Sequence, residues 1–333
     1  MTIRHFPRRL LLSGLCGLLL AVAAGPGRAA AVADGLSWLA RAGTAARNVN
    51  YTGTYVYSGA GIAESARVTR VHAGGGDAER IESLDGARRE IVRRGDEIHY
   101  FFLDSKTVRV DRRVSGRSFP DIVPANGAAL AAHYSIEAGQ TDRVAGRGVQ
   151  VIRLRARDDD RFSQEIWADL QTGLPLKLRV IDSQGEIVEQ IAFTEVSIGE
   201  RLSPKQALPS RRAGYAGWTV HNAIVSDPAV GGQPLVEPKS LPSGFRRVSQ
   251  VSRQWPGQDR PVIQSVYSDG LASLSIFVDP DLSKLAGHEG YSQRGALGVY
   301  SRSLADRAVI TVGQLPAAAL RKVAESLSIG AGR

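Results

Sequence analysis

Residues 157–196, RDDDRFSQEIWADLQTGLPLKLRVIDSQGEIVEQIAFTEV, constrain the fold of this chain more than any other stretch. Apolar and polar side chains alternating with period two mark a strand with one buried face. In the middle run Leu174, Leu176, Leu178 and Val180 share one face, and Lys177 and Arg179 take the other. The run before it sets Phe162, Ile166 and Ala168 against Ser163 and Glu165. The run after it sets Ile187, Ile191 and Phe193 against Val188, Gln190, Ala192 and Thr194, a less clean division. Two turn-forming clusters, Asp169-Leu170-Gln171-Thr172-Gly173 and Asp182-Ser183-Gln184-Gly185, separate the runs. Connections this short join antiparallel neighbours. The product is a meander with one oily face, which another element has to cover.

The same pattern recurs on both sides. Tyr51, Gly53, Tyr55 and Tyr57 alternate along 50–58, and strands are expected at 67–72, 78–84, 89–93, 97–102, 107–111 and 149–157. Leu36, Leu39, Ala40, Gly43 and Ala46 fall at helical spacing behind Asp34 as N-cap. Small residues on that face let the helix lie close to a sheet. The Ala-rich segment 126–134 reads as a second helix. Residues 201–216, RLSPKQALPSRRAGYA, lack periodicity and hold two prolines, so they read as a linker, with a hinge over 203–212. Beyond it, 218–225, 245–251, 262–268, 271–278, 297–301 and 308–312 read as strands. Segment 315–327 reads as a helix, with Pro316 at its start. The expected class is α+β, mainly antiparallel β. An unclosed half-barrel with a helical lid spans 34–200; after the linker, a smaller antiparallel sheet with a helix spans 217–330.

The first 31 residues read as a secretory signal peptide: Arg4, Arg8 and Arg9, then an apolar run over 10–24, then Ala29-Ala30-Ala31. The apolar run is short for an uncleaved anchor. Cys16, the one cysteine, leaves with the leader, so the exported chain holds no disulfide. Taking the leader's four arginines from the net charge of +9 leaves +5. The arginine pairs, such as Arg88-Arg89 and Arg246-Arg247, are scattered along strands and turns, and no stacking motif accompanies them, which argues against a nucleic-acid partner.

Catalytic and metal signatures are missing. The six histidines are dispersed, with no pair at metal-ligand spacing. There is no G-x-S-x-G elbow and no phosphate-binding P-loop. Asp158-Asp159-Asp160 lacks the spaced ligands of a calcium loop. No enzyme activity, cofactor or metal is expected. What remains is a concave apolar surface, and two readings fit it: a ligand cleft, or a concavity filled by its own helices.

The run Trp167-Ala-Asp-Leu-Gln-Thr-Gly-Leu-Pro-Leu-Lys-Leu178 resembles a pattern of outer-membrane lipoprotein carriers, whose unclosed barrel holds an apolar cavity under helices. The rest of the chain resembles a narrower group. The run from Leu84 to Ile98, Arg157-Asp158 with Arg161-Phe162, Leu241-Pro-Ser-Gly-Phe245, Val266-Tyr-Ser-Asp-Gly-Leu271 and Gly313-Gln-Leu-Pro316 are similar to the RseB/MucB family. That resemblance implies a periplasmic negative regulator of the envelope-stress sigma-factor pathway. Its implied partner is the periplasmic segment of a single-pass anti-sigma factor of the RseA/MucA type, which it shields from proteolysis. A lipid or lipopolysaccharide-type ligand is implied to displace it. A lipoprotein carrier or lipid chaperone is the alternative, and the resemblance leaves room for a homo-oligomer. By strand face, the candidate cleft residues are Tyr55, Tyr57, Tyr100, Phe102, Phe162, Ile166, Leu176, Leu178 and Phe193.

Overall fold

Alternating runs over the first two-thirds of the chain become one curved sheet of twelve strands. The computed structural model describes residues 26–73, 76–112, 119–121, 123, 127–199, 201–209, 215–226, 236–256, 258–285 and 287–330. Leader residues 1–25 and the hinge segment 210–212 lie outside the described residues. The strands are β1 (Tyr51–Gly59), β2 (Ile62–Ala73), β3 (Gly76–Ser83), β4 (Arg89–Arg94), β5 (Glu97–Phe102) and β6 (Thr107–Arg112). They continue as β7 (Tyr134–Val144), β8 (Arg147–Ala156), β9 (Ser163–Asp169), β10 (Pro175–Ile181), β11 (Ile187–Ile198) and β12 (Thr219–Asn222). The spatial order is β12-β6-β5-β4-β3-β2-β1-β11-β10-β9-β8-β7, so β12 and β7 are edges and the sheet stays open. Among the described strands of this sheet, only β12 runs parallel to its neighbour.

The meander behaves as its alternation requires. Leu178 opposes Ile166 on β9 and Ile191 on β11, and residues opposed across an antiparallel pair share a face. Leu174, Leu176, Leu178 and Val180 are buried in the main core. On the outer face Trp167 lies beneath Lys177 and Arg179, at 4.4 and 5.1 Å from the ring centroid. Its indole N–H donates to Asp142 at 2.8 Å. The untidy third run has a local cause. Register shifts beside Ile181 and Tyr55 put Glu189, Ile191 and Phe193 on the inner side and leave Ile187 52% exposed.

The helix α1 (Pro26–Asn48) covers the inner side of β7, β8 and β10. It starts eight residues before the expected N-cap. Leu39, Ala42 and Ala46 form its buried face. A Cβ on Gly35 would lie 2.9 Å from the Glu137–Ala138 backbone, so only glycine permits this approach. Segment 126–134 is not the helix its alanines predict. It makes one 3-10 turn, Ala128–Ala132, and Tyr134 already opens β7. The strand claims the end of the segment, which leaves room for a single turn that buries Leu130.

Asp169 closes the β9–β10 turn from a position 1% exposed. It accepts from Arg147 at 2.7 Å and from the Thr172 N–H and hydroxyl, both at 2.8 Å. Burial alone would raise this carboxyl; Arg147 and Thr172 outweigh it and hold it below the usual carboxylate range. A carboxyl whose folded pKa lies below its unfolded value stabilises the fold above about pH 4 and loses that contribution as pH falls through the folded value. Asp169→Asn is therefore expected to lower stability by about 1–3 kcal/mol at pH 7. The deficit should shrink toward pH 3 when urea unfolding is measured at both pH values.

A second, seven-stranded sheet follows. Its strands are β13 (Ile224–Ser226), β15 (Arg246–Gln254), β16 (Val262–Ser268), β17 (Ser273–Asp279), β18 (Gly290–Arg294), β19 (Leu297–Leu304) and β20 (Arg307–Gly313). The order is β13-β15-β16-β17-β20-β19-β18. β14 (Val236–Pro238) and β21 (Leu327–Ile329) pair separately. The helix α2 (Ala317–Glu325) buries Ala319, Leu320 and Val323 against Leu274, Ile276 and Val309.

Described residues between the two sheets dock on the first. Leu202 packs with Ala207 on Val71 and Ala78. Trp218 and Val220 pack on Val92, Phe101 and Val108. The strand expected over 218–225 divides: Thr219–Asn222 completes the first sheet on β6, and only Ile224–Ser226 pairs with β15. Local propensity favours a strand in either place, and long-range pairing decides which sheet receives each half.

Candidate functional site

Register identifies the concave face. Tyr55 opposes Ala66, Val68 opposes Ile81, Ile81 opposes Ile91, and Ile91 opposes Tyr100. Arg93 opposes Ile98, and Arg89 opposes Phe102. These side chains share the face on which α1 lies, together with Phe193 and Ile191 of β11.

The nine candidate residues separate into three groups. Phe162, Ile166, Leu176, Leu178 and Phe193 are buried in the main core, at 0–6% exposure, and offer a ligand no surface in this conformation. Tyr55 and Tyr57 are half-buried at the centre of the sheet. Tyr55 meets Phe193 edge-on at 6.0 Å and Phe119 at 5.8 Å, and Phe119 lies 5.4 Å from Phe193. Burial, with Glu79 nearby, pushes the Tyr55 phenol up to about 12. Tyr100 and Phe102 are half-buried on β5, four strands from Tyr55 and beside the half-buried Ile91 and Ile98. Thus the structure brings Tyr55 to Phe193 and sets Tyr100 and Phe102 in a separate wing.

A charged cluster sits between the two. Arg70 pairs with Asp77 at 3.0 Å and with Glu79 at 3.5 Å, and Arg93 also pairs with Glu79. Arg70 is 7% and Glu79 3% exposed, so each charge depends on its partners. The buried Tyr51 hydroxyl and Arg70 Nε have no hydrogen-bond partner among the described residues. Among the described residues, no group of three or more His, Cys, Asp or Glu is arranged to hold a metal. No described helix is long and apolar enough to cross a membrane.

The second unit covers this concave face at three points, none singled out by strand pattern. Asp111 on β6 pairs with Arg253 on β15, and Arg109 lies 5.7 Å from the Trp255 ring centroid. At the tip of the β18–β19 hairpin, Arg294 pairs with Glu64 at 2.7 Å, and the Ala296 N–H donates to Glu189 at 3.0 Å. Tyr57 donates to the same Glu189 carboxylate at 3.3 Å. Asp269, in the β16–β17 turn, pairs with Arg161 at 2.5 Å and accepts from Tyr134 at 3.2 Å. Burial, with the Asp269 charge beside it, raises the Tyr134 phenol far above its ordinary value. Asp269 falls within the Val266–Leu271 run that resembles the family, whereas its pairing with Arg161 has no local sign.

The model of the MucB/RseB N-terminal domain matches residues 34–211, and that of the MucB/RseB C-terminal domain matches 234–328. This chain belongs to the MucB/RseB family. The MucB/RseB chain is 30% identical over 325 residues to the Sigma factor AlgU regulatory protein MucB of Pseudomonas aeruginosa, covering 94% of this chain and 95% of that one. It is 32% identical over 304 residues to the Sigma-E factor regulatory protein RseB of Salmonella typhimurium, covering 86% and 88%. Among solved structures, it matches MucB in the Pseudomonas aeruginosa MucA/MucB complex with a TM-score of 0.66 at 26% identity, over 90% of this chain and 100% of that one. These MucB and RseB relatives are named for regulation of sigma factors.

Proposed function

We propose that this MucB/RseB protein works in the periplasm, where it binds the periplasmic segment of a single-pass anti-sigma factor of the MucA/RseA type and shields it from proteolysis. The observation that carries the reading is the end-to-end match, across both units, to a MucB chain solved with MucA. A lipid or lipopolysaccharide-type ligand displaces the protein from that segment. Displacement of this kind requires the ligand to prefer the conformation that holds the segment poorly. The half-buried Ile91, Ile98, Tyr100 and Phe102 supply an apolar wing for an acyl chain, at about 25 cal/mol for each Å² of apolar area removed from water. Tyr55, Tyr57 and the buried Phe162, Ile166, Leu176, Leu178 and Phe193 join that surface only if the concave face loosens.

The test is binding of the purified protein to the anti-sigma segment, followed by titration with lipid A. Binding that lipid A weakens is the expected result; no binding, or binding indifferent to lipid A, overturns the corresponding half of the reading. Replacing Tyr100 and Phe102 together by Ala is expected to raise the lipid A concentration needed about tenfold, the equivalent of about 1.4 kcal/mol. Segment binding without lipid A reports whether the variant remains folded. Loss of the gene is expected to raise stress-response transcription, whereas loss of a lipoprotein carrier mislocalises lipoproteins.

A further inference from the structure

Three contacts seat the second unit on the first, and they differ sharply in how they can yield. The first is covalent and hydrogen-bonded. β12 pairs with β6 and β13 pairs with β15, and the single residue Ala223 stands between them. Its N–H donates to the Val110 carbonyl at 2.9 Å. The ion pair of Arg253 with Asp111 reinforces the same place, with both side chains largely buried. The second contact is the Arg161 anchor. Its side chain and that of Asp269 are each 0% exposed. Arg161 also donates to the Ser243 carbonyl at 2.7 Å and to Asp158 at 2.9 Å. The rings of Tyr134 and Phe245 flank its guanidinium at 5.5 and 5.8 Å. Separating a buried pair strands a charge away from water, so this joint opens only at high cost. The third contact is the β18–β19 tip. Its ion pair, Arg294 with Glu64, is 63% and 58% exposed and holds weakly, which leaves the buried Ala296 and its N–H bond to the 7% exposed Glu189 as the rest of this seat.

The positions of these contacts on the second sheet give them mechanical meaning. Arg253 opposes Val262, whereas Arg246 opposes Ser268, next to Asp269. The strap and the anchor therefore lie at opposite ends of β15 and β16. The line joining them runs along those strands. The β18–β19 tip lies at the same end as Asp269, because Gly298 on β19 opposes Gly313 on β20, and Gly313 opposes Leu274 on β17. It is displaced sideways from that turn by about three strand spacings, roughly 14 Å.

We propose that the second unit swings as a flap about the β15–β16 line, hinged at Ala223 and at Arg161–Asp269, with the β18–β19 edge as its free margin. The swing uncovers Tyr57, Glu64 and Glu189 first. Leu202, Ala207 and Trp218 to Asn222 are docked on the first sheet, so the swing is placed after Asn222.

The test measures distances between paired spin labels in a Cys16→Ser background. Ala63→Cys with Ser292→Cys reports the free margin. Ser105→Cys with Asp259→Cys reports the strap, and Asp159→Cys with Arg246→Cys reports the anchor. All six positions are exposed. Glu64→Gln with Arg294→Gln then removes the exposed pair without touching a core. A swing of about 20° on a lever of about 14 Å moves the margin by about 5 Å. The expected result is that the Ala63–Ser292 distribution broadens or lengthens by that amount while the other two stay narrow. Asp269→Asn should additionally broaden the anchor pair. Three distances that lengthen together, three that stay fixed, or an anchor pair that moves more than the margin overturn the proposal. The distances are read on the chain alone, so they stand apart from whether an anti-sigma segment binds.

Discussion

Replacing Asp269 by Ala is expected to destabilise the protein by about 3–5 kcal/mol, the range for breaking one side of a buried ion pair. The loss has two sources in the structure. Arg161 keeps Asp158 and the Ser243 carbonyl but loses its one fully buried counter-charge. The turn itself loses a cap, because the other oxygen of Asp269 accepts from the Leu271 and Ala272 N–H groups at 2.9 and 2.8 Å. Urea unfolding followed by tryptophan fluorescence measures the effect. Arg294→Ala, at the exposed pair, provides the contrast and is expected to change stability by at most about 1 kcal/mol. A loss below about 1 kcal/mol for Asp269→Ala would show that the two units do not depend on this joint.

The second large effect is expected at Phe193. Phe193→Ala should cost about 3–5 kcal/mol, as for other buried aromatic truncations. The ring is 3% exposed and packs against Tyr51, Tyr55 and Phe119 at the centre of the concave face. Gly53, a residue that otherwise weakens a strand, makes room for it: a Cβ there would lie 2.9 Å from the ring. Gly53→Ala should therefore share part of the Phe193 defect. Thermal unfolding of Phe193→Ala, Phe193→Leu and Gly53→Ala checks the account, with Leu expected to lose less than Ala. Equal stability of Phe193→Ala and the parent would mean that the concave face is not packed as described.

The fold was legible where period-two alternation met a single continuous core. Leu174, Leu176, Leu178 and Val180 were assigned to the buried face from their spacing and lie there. The expected helix face of Leu36, Leu39, Ala40, Gly43 and Ala46 is buried at Leu39, Gly43 and Ala46, and the close approach to the sheet falls at Gly35, outside that set. Legibility failed where register or long-range pairing took over. Ile187 was grouped with Ile191 and Phe193, but the bulge beside Ile181 turns it outward and gives the inner position to Glu189. The Ala-rich segment before Tyr134 was shortened by the strand that follows it.

The candidate face was legible only as a face. Alternation gives each residue a face within its own strand, and it is the registers that put Tyr55, Tyr100, Phe102 and Phe193 on one side of the sheet. Alternation carries no information about what lies opposite. Whether Leu176 or Tyr100 remains open depends on α1 and on the second unit, whose contacts join residues as far apart as Glu64 and Arg294. Arg161 and Asp269, 108 positions apart, each lie in a run that resembles the family, but neither run signals that the two side chains pair.

The strand that passes from one sheet to the other also dictates where the molecule can be cut. A fragment ending at residue 200 or 211 would strip the Thr219–Asn222 rung from β6 and leave Phe101 without its Trp218 cover. A fragment carried through Asn222 keeps both, and the first sheet then ends on its own paired edge. Conversely, a fragment beginning at residue 217 would drag β12 along as an orphan, an unpaired ribbon inviting self-association. Ala223 alone joins the strand that completes the first sheet to the strand that opens the second.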